Sequence, residues 1–228
     1  MKKHLFFGLI CLMLFACAGD VKKKRISLDI LDEGKPGEIT YYQDKPFSGI
    51  GFSLHENGNV EFEIEFKGGV DDGITKMFWD NGNLKLEVNT FNGISNGVFK
   101  TWYENGNLMT ESFRLNGQEH GETKNWDPYG ILLHIVNYKY DKREGLSKWY
   151  HENGQLRKTS NYIADKQEGV EKTWYETGQL KSEVEYINDK EEGWLKYWVK
   201  EGEEGQSYEM YFVDGMGQSE TMRKLYNK

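Results

Sequence analysis

Glycine recurs along this chain at a step of 24 residues, at Gly49, Gly73, Gly97, Gly121, Gly145, Gly169, Gly193 and Gly217. A second series keeps the same step at Gly58, Gly82, Gly106, Gly130, Gly154, Gly178 and Gly202. A fixed short period is the mark of a repeat architecture, in which each unit packs only on its neighbours and length no longer sets the domain count. The stretch 97–121, GVFKTWYENGNLMTESFRLNGQEHG, shows what one unit is. A β-rich run to Tyr103 leads into Asn105-Gly106, a second run starts at Leu108, and a glycine-containing loop follows. Asn-Gly between two such runs predicts a two-residue type I′ hairpin turn, which requires φ > 0 at both central residues.

Pairing the runs across a two-residue turn sets Tyr103 opposite Leu108, Trp102 opposite Met109 and Lys100 opposite Glu111. The same arithmetic sets Lys76 opposite Glu87 and Lys172 opposite Glu183. Directly opposed unlike charges favour a pairing by roughly 0.2–1 kcal/mol each, so the recurrence supports this register over a one-residue slip, which would reverse the faces. One face then carries Trp79, Tyr103, His151 and Tyr175 opposite Leu84, Leu108, Leu156 and Leu180, continued by Val88, Val136, Val184, Tyr138, Tyr162 and Tyr186. The other carries Phe78, Trp102, Trp126, Tyr150, Trp174 and Trp198 beside the Lys–Glu ladder. The aliphatic content of the first makes it the better core candidate. The expected fold is all-β, an elongated antiparallel sheet of stacked hairpins. About sixteen strands at ~4.8 Å spacing would make a ribbon on the order of 75 Å long.

The ends of an array need atypical units to cover them. Stepping back one period reaches Gly34 and Tyr42, and Ile26, Leu28 and Ile30 alternate as in a strand, so a degenerate first unit is expected over 25–48. Pro36 and Pro46 suit an edge-exposed cap, since an interior strand excludes proline. At the far end Gln218–Tyr226 reads as a closing half-hairpin. Within the array one unit is worn: Trp126-Asp127-Pro128-Tyr129-Gly130 replaces the usual Trp-Tyr-Glu-Asn-Gly, which allows a different turn there.

The N-terminus reads as an export signal. Lys2-Lys3 precedes the apolar run 5–15, too short to span a bilayer as a helix. Leu14-Phe15-Ala16-Cys17 resembles a bacterial lipobox. The expectation is therefore a lipoprotein signal peptide over 1–16, a lipidated Cys17 with a linker over 17–24, and the array over 25–226. The only other cysteine, Cys11, falls inside the signal, so the processed chain has neither a disulfide nor a thiol catalyst. Two or more acyl chains make a stable anchor. Ala18 and Gly19 after Cys17 favour the outer membrane over the inner. Cleavage removes two lysines and no acid, moving the formal charge from −8 to −10, which argues against nucleic acid as a partner. The cluster Lys22-Lys23-Lys24-Arg25 reads either as a solvated linker or as a contact with anionic headgroups.

Units such as Gly97-Val-Phe-Lys-Thr-Trp-Tyr-Glu-Asn-Gly106-Asn-Leu, and Lys45-Pro-Phe-Ser-Gly49, resemble the variant MORN repeat (membrane occupation and recognition nexus). In particular they are similar to bacterial proteins of the antitoxin-type MORN-variant family. The resemblance covers about 25–226. It implies a long antiparallel sheet of stacked hairpins, contacts with proteins or membrane lipids, and, through the antitoxin label, binding and neutralising a toxin.

Catalysis needs a convergent cluster of unlike groups, and the sequence contains no nucleophile elbow, P-loop, His-Glu-x-x-His or clustered Cys/His set. His55 and His151 share a register position that other units fill with Trp79, Tyr103 or Tyr175. Four repeats separate them, about 38 Å by strand spacing, so no zinc site joins them. The recurring glutamates Glu63, Glu87, Glu111 and Glu183 form a solvated column rather than a glycosidase pair. No enzyme activity, cofactor or metal is expected. The column Trp102, Trp126, Trp174 and Trp198 is the candidate binding feature, because aromatic rows with flanking lysines grip sugars, peptides or headgroups. The same column also reads as packing repeated in every unit. The sequence thus points to a lipid-anchored envelope protein presenting a repeat scaffold to an unidentified protein or lipid partner. An antitoxin-like binder of a cognate toxin and a glycan-binding envelope protein are the alternatives.

Overall fold

The structure, a computed structural model, describes residues 23–32, 39–201 and 207–224, with side chains through 217. Among them one 18-stranded sheet dominates. The 24-residue unit shows in it as alternating strands, each antiparallel to the last. Gly49–Leu54 pairs with Val60–Lys67, then come Val70–Phe78, Leu84–Phe91, Ile94–Trp102, Leu108–Leu115, Gln118–Trp126 and Leu132–Lys139. The order continues through Gly145–Tyr150, Leu156–Ile163, Gly169–Trp174, Leu180–Ile187, Lys190–Tyr197 and Tyr208–Val213 to Met216–Lys224 at the edge. The expected elongated all-β sheet of stacked hairpins is thus what the chain forms.

The two edges of the sheet use different turns, and the type I′ turn expected at the Asn-Gly sites of the second glycine series is found at the opposite edge. At the Asn-Gly sites, Gly106 N–H donates to Tyr103 C=O at 2.9 Å, and Tyr103 N–H donates to Asn107 C=O at 2.9 Å. Gly106 has φ of 88°, and Asn105 is not among the residues with positive φ. This is a type I turn closed by a left-handed glycine, a three-residue loop with a bulge, not the two-residue type I′ turn expected. The extra loop residue moves the register locally. Trp102 pairs with Leu108, Met109 is left as the bulged residue, and the Lys100–Glu111 pair keeps its expected place. The leucine column therefore packs on the tryptophan column, not on Tyr103 and its equivalents. Asp127-Pro128-Tyr129-Gly130 makes the same turn as its neighbours, with Gly130 N–H on Asp127 C=O at 3.0 Å.

The type I′ turns lie at the other edge. Asn92-Gly93 has φ of 49° and 74°, Asn116-Gly117 52° and 85°, Ala164-Asp165 49° and 73°, and Asn188-Asp189 51° and 68°. The first glycine series, expected in loops, sits within strands instead. Thr90 pairs with Ser95 but Val88 pairs with Phe99, so two extra residues bulge out around Gly97, whose φ is 122°. Such bulges bend the strand and raise its twist, which lets a thin sheet curl over one of its faces.

That face holds the small core there is. Register pairs Thr75 with Val88, Phe99 with Ser112, Thr123 with Val136, Ser147 with Ser160, and Glu171 with Val184. Of these, Ser112, Thr123, Val136, Ser147, Ser160 and Val184 are buried, as is Tyr162 beside them. The face predicted from its Val and Tyr columns is the one that closes. Small side chains in the central row allow the larger neighbours to fold over them.

The first unit differs from expectation in detail. Arg25–Ser27 is a strand that runs parallel to Gly49–Leu54, but Leu28–Ile30 is a 3-10 turn and not a continuation of the strand. Ser27 caps it, its hydroxyl accepting from Asp29 N–H at 3.4 Å. The turn brings Leu31 back over the sheet, where it and Phe47 are buried. Phe47 packs on Phe66 at 5.7 Å between ring centroids. Pro46 lies in the two-stranded pairing of Tyr41–Tyr42 with Lys45–Pro46, apart from the main ladder. Gly34 and Pro36 lie outside the described residues.

Candidate functional site

Three ladders of side-chain hydrogen bonds run along the array, and they account for most of its recurring polar residues. Asn105 Oδ1 accepts Asn107 N–H at 3.0 Å, while Asn105 Nδ2 donates to Pro128 C=O of the next turn at 2.7 Å. Asn57, Asn81 and Asn153 donate in the same way to the carbonyls of Asp80, Glu104 and Glu176. One step inside, Trp79 Nε1 donates to Trp102 C=O at 3.2 Å, Tyr103 Oη to Trp126 C=O at 2.8 Å, and Tyr175 Oη to Trp198 C=O at 3.0 Å. His55 and His151 belong to this column, with Nε2 on the carbonyls of Phe78 and Trp174 at 3.0 and 2.9 Å. On the type I′ edge Asp141, Asp165 and Asp189 accept backbone N–H groups of the preceding unit at 2.7–2.8 Å.

Trp102, Trp126, Trp174 and Trp198 are half-buried. Across their hairpins Trp102, Trp126 and Trp174 stand opposite Leu108, Leu132 and Leu180. Among the described residues the lysines over aromatic rings are elsewhere, Lys24 over Tyr42, Lys85 over Trp79 at 4.4 Å, Lys158 over Trp149 at 5.0 Å and Lys181 over Tyr175 at 5.5 Å. The glycines at 58, 82, 106, 130, 154 and 178 occupy the type I turns with φ of 80–88°. Gly202 and Cys17 lie outside the described residues, as does the signal segment. In the basic cluster, Lys23 pairs with Glu65 at 2.8 Å, Arg25 pairs with Glu63 at 2.6 Å, and Lys24 lies 4.0 Å from the Tyr42 ring centre. The two ion pairs tie this segment to the strand Val60–Lys67, while Lys24 covers the two-stranded pairing of the cap. Among the described residues no three of His, Cys, Asp and Glu come together as a metal site.

Two surfaces remain outside the ladders. On the face opposite the buried row, Val98, Phe113, Leu146 and Val170 are 38, 43, 45 and 48 % exposed. The second is a groove of about 440 Å³ lined by Leu133, His134, Tyr150, His151, Glu152, Arg157 and Glu176. Burial, aided by Arg157, pushes the His134 imidazole below its ordinary range. Sequence reasoning passed over this groove. The signal was present: His134 stands where other units have Leu86, Thr110, Lys158 and Ser182, so it is not a substitute for an aromatic.

The fold and its ladders define a repeat scaffold, in which most functional-looking residues hold one unit to the next. Residues 71–92, 95–116, 143–164 and 167–188 match the MORN repeat variant, each match being one hairpin around a type I turn. No curated protein matches the chain.

Proposed function

We propose that the chain is a non-enzymatic, lipid-anchored protein of the bacterial cell envelope whose MORN-variant sheet serves as a protein-interaction surface. The observation that carries the reading is the exposed apolar row Val98, Phe113, Leu146 and Val170, broken at the same repeat position by Glu122, on a face whose fold requirements are met from the other side. Such rows, framed by charge, are what interfaces bury. The Lys–Glu ladder supplies the frame, with Lys100 and Glu111 at 3.3 Å and Lys196 and Glu183 at 3.0 Å. The lipobox-like Cys17 supports the anchor.

Labelled palmitate incorporated at Cys17, and lost in Cys17→Ser, is the expected result for the anchor. Cross-linking in envelope extract, followed by mass spectrometry, is expected to capture a partner that Phe113→Glu with Val170→Glu releases. Capture unchanged by those substitutions would remove the interface. A second reading is an antitoxin-like binder. A formal charge of −8 suits a basic toxin as partner. Rescue of growth on co-expression with the product of a neighbouring toxin gene is its test, and no rescue counts against it.

A further inference from the structure

The groove at His134 is lined by residues that depart from the repeat. The equivalent groove between earlier turns is lined by Asn81, Tyr103, Glu104, Asn105 and Pro128. Stepping forward two units, His151 takes the place of Tyr103, Glu152 that of Glu104, and Glu176 that of Pro128. Arg157 occupies the bulge position held by Met109 and Leu133, and Tyr150 replaces a tryptophan. These changes place one guanidinium and two carboxylates around a concavity with an aromatic and a leucine wall. The side chains of His134, Glu152, Arg157 and Glu176 have no hydrogen bond or ion pair among the described residues, whereas the charges of the ladder are paired.

We propose that this groove binds a free basic amino acid, one carboxylate and two ammonium groups on an aliphatic stem. The match is charge for charge. The Arg157 fork takes a carboxylate in two parallel hydrogen bonds, a geometry that a lysine would not reproduce. Glu152 and Glu176 each take an ammonium. Tyr150 and Leu133 cover the stem. His134, held neutral by burial, adds a polar neighbour without a competing positive charge. The volume of about 440 Å³ falls within the range of small-molecule sites.

The inference deepens the binding reading by naming a ligand class for one place on the scaffold. It rests on that reading only in taking the array as a binding surface. Its test uses purified protein and defined probes, so failure to capture a partner from extract leaves it intact. Titration calorimetry with L-lysine is expected to give saturable binding, together with a shift of the His134 ring protons in NMR. Arg157→Met, which installs the residue of an earlier unit, is expected to weaken it at least about tenfold, as is Glu176→Gln. Cadaverine, which lacks the carboxylate, is expected to bind at least about tenfold more weakly than lysine. Binding of lysyl-lysine without binding of lysine would overturn the assignment, since a peptide-terminal residue lacks one of the three charges. Lysine binding unchanged in both variants, or no saturation up to about 10 mM with the fold intact by circular dichroism, would overturn the proposal.

Discussion

The side-chain amide of Asn105 donates to the carbonyl oxygen of Pro128 at 2.7 Å, one turn further along the array, while its own Oδ1 holds Asn107 N–H at 3.0 Å. One side chain thus closes its own turn and couples it to the next. This is why asparagine precedes glycine at these turns although its φ is not positive. The stacking of units is written in such bonds as much as in apolar contact, because a single sheet buries little.

Substitution separates the two roles. Asn105→Asp keeps the acceptor and loses the donor, and is expected to cost about 1 kcal/mol; Asn105→Ala loses both and is expected to cost about twice that. Asn105→Gly is the discriminating variant. If asparagine were there to tolerate a left-handed backbone, glycine would cost no more than its backbone entropy, about 0.5–1 kcal/mol, so a loss in urea unfolding at or above that of Asn105→Ala supports the hydrogen-bond account.

Two buried serines in one register pair are expected to behave oppositely. Ser160 Oγ donates to Glu171 Oε2 at 2.8 Å, and the same carboxylate pairs with Lys158 at 2.7 Å and accepts from Gln167 at 2.8 Å. Its partner across the strands, Ser147, is 0 % exposed and its hydroxyl has no partner. Ser160→Ala is expected to destabilise by about 1–2 kcal/mol, whereas Ser147→Ala removes an unsatisfied group and should be neutral or stabilising by up to about 1 kcal/mol. Thermal unfolding of both variants checks the contrast, and equal losses would contradict it.

Gly58 and Gly69 share a left-handed backbone, with φ of 86° and 83°, but not their surroundings. A Cβ at Gly58 meets open space, whereas at Gly69 it meets Ile39 and, at 2.6 Å, the carbonyl of Thr40. Gly58→Ala is expected to cost about 1 kcal/mol from backbone strain alone. Gly69→Ala adds overpacking against backbone and is expected to cost about 2–4 kcal/mol. The difference in unfolding midpoints reads how firmly the N-terminal cap is held to the array.

Burial, with Arg157 as the smaller contributor, lowers the folded-state titration of His134 below 6.5. The unfolded chain titrates near 6.5, so below that pH the unfolded state binds more protons than the folded state. Stability contributed by this residue is therefore present above about pH 6.5 and declines as pH falls towards the lowered folded value. His134→Thr, the residue of the Thr110 position, is expected to flatten this dependence in denaturant unfolding followed between pH 7 and 5. An unchanged slope would assign the acid sensitivity to other groups.

Period, strand content and the Lys–Glu register were legible in the sequence because each depends on local pattern. A glycine every 24 residues needs a special backbone in every unit, and a charge pair such as Lys100–Glu111 reads directly across a hairpin. Turn type was not legible. Asn-Gly satisfies both a type I′ turn and a type I turn with a left-handed glycine, and at Asn105 the type I turn is accompanied by a hydrogen bond to Pro128 in another unit. That one-residue difference also moved Leu108 from Tyr103 to Trp102. The groove at His134 was hidden for a related reason. Leu133, His134, Arg157 and Glu176 are unremarkable in their own hairpins and meet only when consecutive hairpins stack. The sequence alone determined that this chain builds a repeating sheet. Which residues face each other across units was decided by the tertiary structure, because those contacts depend on the bulges and turn carbonyls of neighbouring hairpins.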